Sequence, residues 1–201
     1  ITAKQVDAAG NESAASTALS LTVDSAVAAP VVVSPGTGTR YVMVRNTQNF
    51  DAAEVQVMAT VNGTLTNVAR NGLATVLVGP QGQIYQYPAS ALFDGNTTTD
   101  YGTPGVRLGT FYVAGALSSD GWVQIDLGGN YAVSSVVLTA RSDGAQTSMN
   151  GGYVLLSPTP MATSSNAVSL ANLLADNTLV TKASISGLSS TALTQTLTFT
   201  P

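Results

Sequence analysis

Short runs of β-branched, aromatic and leucine residues recur along the whole chain, and turn-forming residues separate them. Most runs are bounded by Gly, Pro, Asn, Asp or Ser, a pattern that predicts strands joined by turns. The predicted strands are residues 1–6, 18–23, 40–44, 54–57, 73–78, 122–127, 133–140, 153–156 and 193–200. Many short strands with turns between them indicate an all-β sandwich or barrel.

One of these runs has two unlike faces. Residues 122–127 read WVQIDL, so that a Trp, a Gln and an Asp alternate with Val, Ile and Leu. This is the period of a strand that buries one face more than the other. A single helix is predicted over residues 167–175, where the leucines lie mostly on one side and Asn166 is placed to cap the first turn.

The charge content is low and excludes several classes of partner. Charged residues make up 9% of the chain, far below the roughly 25% of ordinary soluble domains. The 7 Lys and Arg residues are scattered and the net charge is -4. The chain therefore has no basic stripe for nucleic acid and no patch for an anionic membrane, and no apolar run is long enough for membrane insertion. A surface of hydroxyls and amides suits an extracellular protein.

The chain contains no cysteine and no histidine. Disulfides, thiolate zinc sites, cysteine nucleophiles and mechanisms with a histidine base are therefore excluded. The 11 acidic residues are dispersed, and nothing near the many serines and threonines would activate them as nucleophiles. The sequence predicts a protein that is not an enzyme.

Composition divides the chain before residue 40. Residues 25–39 contain two prolines and two glycines with few charges, which predicts an extended linker. Residues 1–24 read as strand, turn, strand, with Gly10 and Asn11 in the turn. This segment resembles the last hairpin of bacterial Ig-like repeats found in long adhesins. It is either the fragment of a truncated Ig-like domain or a hairpin that docks on another subunit, since two strands alone bury no core.

Four stretches between residues 40 and 157 resemble the discoidin and F-type lectin superfamily. Residues 91–101 (ALFDGNTTTDY) resemble its A-x-DGN-x-x-T-x-W loop, and residues 121–128 (GWVQIDLG) resemble its W-x-x-IDLG strand. Residues 133–141 (VSSVVLTAR) and 41–57, which begin YVMVRN and end AAEVQV, resemble two further strand motifs. The resemblance implies a jelly-roll, galactose-binding-like β-sandwich over residues 40–201. The last motif closes the domain in many members but comes first here. Either the domain is a permuted version, which is the stronger expectation, or residues 40–57 are contributed in a different way.

The loop DGNTTT gathers carboxylate, amide and hydroxyl oxygens, the hard ligands that calcium prefers. Family members often hold Ca²⁺ at this loop, so the resemblance implies Asp94, Asn96 and Thr99 as metal ligands. The alternative is an Asx-type turn at Asp94 with the threonines solvated. No other cofactor is expected.

The resemblance also marks a sugar site, which this chain keeps only in part. Where F-type lectins carry two arginines, two cysteines and a separate histidine, residues 141–151 retain Arg141 and Asp143 alone. These two residues are the carbohydrate-binding candidates. Because most of the cationic groups are missing, a local ion pair between Arg141 and Asp143 is the stronger expectation.

These observations together predict a non-catalytic structural or assembly module of an extracellular filament, an adhesin or a virion surface. Its partners would be copies of itself or neighbouring modules of the same surface protein. The alternative is a calcium-dependent, lectin-like adhesive module that binds a cell-surface glycan.

Overall fold

The computed structural model describes residues 2–17, 38–48, 50–78, 92–95, 97, 111–113, 121–142, 144–163, 166–177 and 180–200. The chain separates into two compact units, Ile1–Val33 and Ser34–Pro201. The second unit contains strands β1 Thr39–Asn46, β2 Phe50–Ala52, β3 Glu54–Val61, β4 Thr64–Asn67, β5 Thr75–Val78, β6 Phe111–Val113, β7 Gly121–Tyr131, β8 Val133–Thr139, β9 Tyr153–Ser157, β10 Ala162–Thr163, β11 Asn166–Ala167, β12 Thr181–Ser184 and β13 Thr194–Thr198. It also contains a 3₁₀ helix, Val68–Arg70, and an α-helix, α1, Leu170–Ala175.

Two antiparallel sheets pack face to face in the second unit. The five-stranded sheet has the order β12-β9-β1-β7-β5, and the four-stranded sheet has the order β13-β8-β3-β4. Two short pairs, β10 with β11 and β2 with β6, lie outside these sheets. The predicted all-β sandwich is confirmed.

The main core lies between the inner faces of the two sheets. The five-stranded sheet contributes Val42, Ile125 and Val154, and the four-stranded sheet contributes Val57 and Leu138, all completely buried. The predicted alternation along β7 is confirmed, because its Val, Ile and Leu belong to this core while Trp122 belongs to a second cluster. Burial of both faces explains why β7 carries bulky side chains on each side.

Helix α1 and the β10–β11 pair contribute to the second cluster, in which Leu170 and Leu173 pack with Met43, Trp122 and Leu155. Strands β1, β7 and β9 supply those three partners, so the five-stranded sheet is covered on both of its faces. Helix α1 has only six residues, and a helix this short is stable only because it packs on the sheet.

The predicted helix is wrong at its start. Residues 166 and 167 form β11, which pairs with β10, and α1 begins only at Leu170. The N-cap is Ser169, whose hydroxyl accepts the Asn172 N–H at 3.2 Å. Asn166 therefore caps no helix, because strand pairing takes the residues that were expected to form the first turn.

In the first unit, residues 2–17 form an exposed hairpin. The Asp7 carboxylate accepts the N–H groups of Ala9 and Asn11 at 2.9 Å, and Gly10 has φ +87° as the predicted turn requires. The second half of the hairpin begins directly after the turn, because the Ser13 N–H donates to the Gln5 carbonyl. The Ser16 N–H also donates to the Ala3 carbonyl, but only Val6 and Glu12 form a β-bridge, so residues 2–6 form no regular strand. The predicted strand 18–23 lies outside the described residues.

No helix in the described part of the chain is both long enough and apolar enough to cross a membrane.

Candidate cation site at Glu54 and Asp94

The Asp94 loop packs against the first residue of β3. Leu92 is completely buried in the main core, and the Gly95 N–H donates to Glu54 Oε1 at 3.0 Å. Gly95 has φ +89°, and a Cβ built on it would lie 2.4 Å from Arg70 Nη1. The backbone conformation favours glycine here, whereas the exposed Arg70 side chain could move to admit a Cβ.

Glu54 is completely buried, and its second oxygen, Oε2, has no hydrogen-bond partner among the described residues. Burial raises the pKa of the Glu54 carboxyl to about 8, the Gly95 N–H lowers it, nearby Asp94 raises it and Arg70 lowers it. Burial dominates because a carboxylate loses its hydration and only one hydrogen bond replaces it. The Arg70 guanidinium and the Gly95 N–H together do not offset the effect of burial on the pKa of Glu54.

Two observations favour a hard divalent cation at this loop. Glu54 offers an unpartnered buried oxygen, and Asp94 lies close enough to affect its pKa. Calcium takes carboxylate and carbonyl oxygens, and an unsatisfied buried carboxylate oxygen is the group that such an ion would stabilise. Asn96 and Thr99, the other predicted ligands, lie outside the described residues. In the part of the chain that the structure describes, no three His, Cys, Asp or Glu residues cluster as a metal site.

Glu54 was absent from the ligands expected from the sequence. The signal for it was present, because a lone glutamate precedes the alternating run VQV at the start of an inner strand. Glutamate is almost never fully buried without a partner. Only the fold reveals that residues 54 and 94, distant in the chain, meet.

An open cavity of about 430 Å³ lies beside this site. Its described lining is Ala69, Arg70, Gly72, Ala74, Phe93 and Asp94. Glu54 is not among these residues, so its carboxyl faces the protein interior and not the cavity. The cavity therefore presents a guanidinium, a carboxylate and part of an aromatic ring to solvent.

The Arg141 side chain forms an ion pair with Asp51, with 3.4 Å between Nη1 and Oδ1. Both side chains are largely buried, at 15% and 10% exposure. The Asp51 N–H also donates to Ser148 Oγ at 2.9 Å, which ties the loop after β8 to β2. The sequence pattern had not indicated Asp51 as a partner. The expected pair with Asp143 is not tested, because Asp143 lies outside the described residues.

A second depression, of about 270 Å³, lies at the β5 side of the five-stranded sheet and is lined in part by Tyr41, Gln124 and Asp126. Arg40 forms two hydrogen bonds with the Asp126 carboxylate, at 2.9 and 3.1 Å. Burial raises the pKa of Asp126, but hydrogen bonds from Arg40, Gly128 and Tyr41 outweigh it, so the net pKa is lowered. The Asp126 carboxylate and the Gln124 amide are therefore already bonded within the protein.

Comparison of the chain with protein-family models, with curated proteins and with solved structures gives no match. The resemblance to discoidin-like domains therefore stays a prediction from the residues quoted above. The function is inferred from the chain's own geometry.

Proposed function

We propose that the chain is a non-catalytic structural and assembly module of an extracellular filament, an adhesin or a virion surface. The observation that carries this proposal is the largely buried ion pair between Arg141 and Asp51. Arg141 is the one cation retained from the sugar-binding pattern. A guanidinium that stabilises the protein's own loop is not available to bind sugar hydroxyls.

The distribution of charge supports the same proposal. A lectin holds sugars through polar side chains that converge on a cleft and lack partners until the ligand arrives. In the Tyr41–Asp126 depression, Asp126 is bonded by Arg40 and Gln124 is bonded by the backbone of residues 161 and 162. With two hydrophobic clusters supporting one sandwich, the chain has the features of a rigid building block.

A non-catalytic role is also consistent with Glu54. A carboxyl with a raised pKa is a common feature of catalytic acids, but such a group must reach its substrate. Glu54 is completely buried and does not line the adjacent cavity. Its position suits a structural cation, which would be held by Glu54 and Asp94, with Asn96 and Thr99 as further expected ligands. Calcium there would neutralise the buried carboxylate and tie the Asp94 loop to β3.

The second candidate function is calcium-dependent carbohydrate binding. It is favoured by the 430 Å³ cavity, because Arg70, Phe93 and Asp94 line it next to the proposed cation site. Aromatic surface beside paired polar groups is a common arrangement for binding a sugar ring.

A glycan array on the purified chain separates the two functions. We expect no binding in calcium and none in chelator, because no free cationic site remains at Arg141. Reproducible binding that requires calcium and is lost in Arg70→Ala would contradict the structural role and establish the lectin. Lys4→Ala is the matched control for Arg70→Ala, because it also removes one positive charge, from an exposed residue in the other unit.

A further inference from the structure

Among the described residues, the four-stranded sheet ends on one side at β13, and no described strand pairs with its outer edge. The Ala140 N–H donates to the Leu193 carbonyl at 2.7 Å, and the Phe199 N–H donates to the Ser134 carbonyl at 2.8 Å. In an antiparallel ladder every second residue bonds the same neighbour. The odd-numbered residues of β13 therefore bond β8, and the backbone groups of Thr194, Thr196 and Thr198 point away from the sheet.

The other outer strands of the two sheets are described over four residues each, and one of them carries a charge. In β12, the Lys182 ammonium binds the carbonyls of Leu174 and Asp176 at the end of α1. Strand β4 runs directly into the 3₁₀ helix, and β5 is followed by residues 79–91, outside the described part. Proteins commonly protect sheet edges with charges, prolines or very short strands. Strand β13 has neither charge nor proline, and its three outward-pointing threonines are exposed.

We propose that β13 is an assembly edge, at which the β13 strand of a second copy adds antiparallel about a two-fold axis at Thr196. This inference rests on the proposed assembly function and identifies its surface. The segment TQTLT is self-complementary in this register. Thr196 would lie opposite its own counterpart, and Thr194 would lie opposite Thr198 of the other copy. Each outward-pointing backbone group would then gain a partner, and two four-stranded sheets would become continuous.

Two features favour a second copy over an unrelated segment. The edge carries no charge to select an oppositely charged partner, whereas a two-fold pairing places threonine opposite threonine, a stabilising cross-strand pair. The strand is also held in shape before it associates. Gln195 Oε1 accepts the N–H groups of Ser186 and Gly187 at 3.2 and 3.0 Å, and Leu197 is buried in the core. A preformed edge loses little conformational entropy on binding.

The first experiment is Thr196→Pro, with self-association measured by sedimentation. The substitution removes an N–H that β13 does not donate to β8, so the native sheet remains intact. We expect the dimer dissociation constant to rise at least about tenfold. The matched control is Ser184→Pro in β12. The Ile185 N–H donates to the Gly152 carbonyl, so the Ser184 N–H also points away from its sheet, and this variant should associate like the unmodified chain.

The second experiment tests the register with cysteines. The chain has no cysteine, so any disulfide in a single-cysteine variant joins two molecules. Directly opposite residues that exchange hydrogen bonds have Cα atoms about 5.5 Å apart, within the roughly 4.4–6.8 Å range of disulfides. Thr196→Cys should cross-link to itself under mild oxidation. Thr194→Cys and Thr198→Cys should cross-link only when the two variants are mixed.

The outcomes separate this inference from the proposed function. If the unmodified chain associates while Thr196→Pro and the mixed cysteine variants behave like the controls, the β13 edge is wrong and assembly proceeds through another surface. If the unmodified chain does not associate at all, the proposed function itself fails. Cross-linking of Thr194→Cys alone as efficiently as in the mixture would overturn the two-fold register.

Discussion

The side chains of Glu54 and Arg141 are both largely buried, but their hydrogen-bond and ion-pair partners differ. Arg141 has Asp51 at 3.4 Å, whereas Glu54 has a single hydrogen bond from Gly95 and an oxygen without a described partner. A buried charge without compensation destabilises the folded state unless it takes up a proton or a cation. Glu54 is therefore the residue at which pH and metal ions should act on stability.

Stability should fall as the pH rises when calcium is absent. The pKa of Glu54 in the folded protein is about 8, above its ordinary value. At a pH between these two values, Glu54 is protonated in the folded state and ionised in the unfolded state. The resulting stabilisation is fully present below the ordinary pKa and is lost as pH rises through about 8. Glu54→Gln should remove this pH dependence. At pH 9 its free energy of unfolding should exceed that of the unmodified chain by an amount on the order of a few kcal/mol. Denaturant unfolding in chelator at pH 5 and pH 9 measures it.

The same variant tests the cation. Calcium should raise the melting temperature of the unmodified chain and leave Glu54→Gln unchanged, since an ion that binds only the folded state stabilises it. Glu12→Gln is the matched control, because Glu12 is exposed and lies in the hairpin unit. If calcium raised the melting temperature equally in all three proteins, Glu54 would not be a calcium ligand.

At the residue scale, the sequence identified the Asp94 loop but not its partner. Asp94 was found because its ligand types stand together in DGNTTT. Glu54 and Asp51 were missed because they reach Gly95 and Arg141 across 41 and 90 positions of the chain. Local patterns carry no information on such distant contacts, which depend on sheet topology.

At the scale of elements, the β10–β11 pair depends on one buried amide. Gln124 Oε1 accepts the N–H groups of Met161 and Ala162 at 2.8 and 2.9 Å, and its Nε2 donates to the Ala162 carbonyl at 3.1 Å. A glutamine on the face of a strand thus replaces the partners that a neighbouring strand would supply. The pair is thereby fixed on the five-stranded sheet.

Gln124→Leu should destabilise the protein by about 2–4 kcal/mol, because a side chain of similar size leaves buried backbone groups unpaired. Hydrogen exchange should speed up at Met161 and Ala162 before other amides. Gln56→Leu is the control, since Gln56 is only half-buried and its side chain bonds no backbone group among the described residues. Equal losses in both variants would mean that Gln124 contributes only by burial.

Periodicity predicted the long strands well and the short elements poorly. Residues 122–127 and 133–140 were recognised because their alternation is strong, and they form most of β7 and β8. Strands β2, β10 and β11 are three residues long or shorter, too short for any period to be evident. The same limit explains why the predicted helix began too early. The pattern that included its leucines extended into residues that in the structure pair as β11.

At the scale of the whole molecule, low charge and strong alternation were enough to predict a β-sandwich. They were not enough to predict which surfaces remain for partners. One side of the five-stranded sheet is covered by α1 and the β10–β11 pair, whereas the four-stranded sheet ends at β13 without a protecting charge. Association through sheet edges follows from this asymmetry, and only the structure reveals it.

Sedimentation velocity of the unmodified chain, from micromolar to near-millimolar concentration, tests the assembly role most directly. We predict a reversible shift from monomer to dimer as concentration rises, in calcium and in chelator alike, since the β13 edge does not involve the cation site. A chain that stays monomeric at every concentration in both conditions would contradict the account.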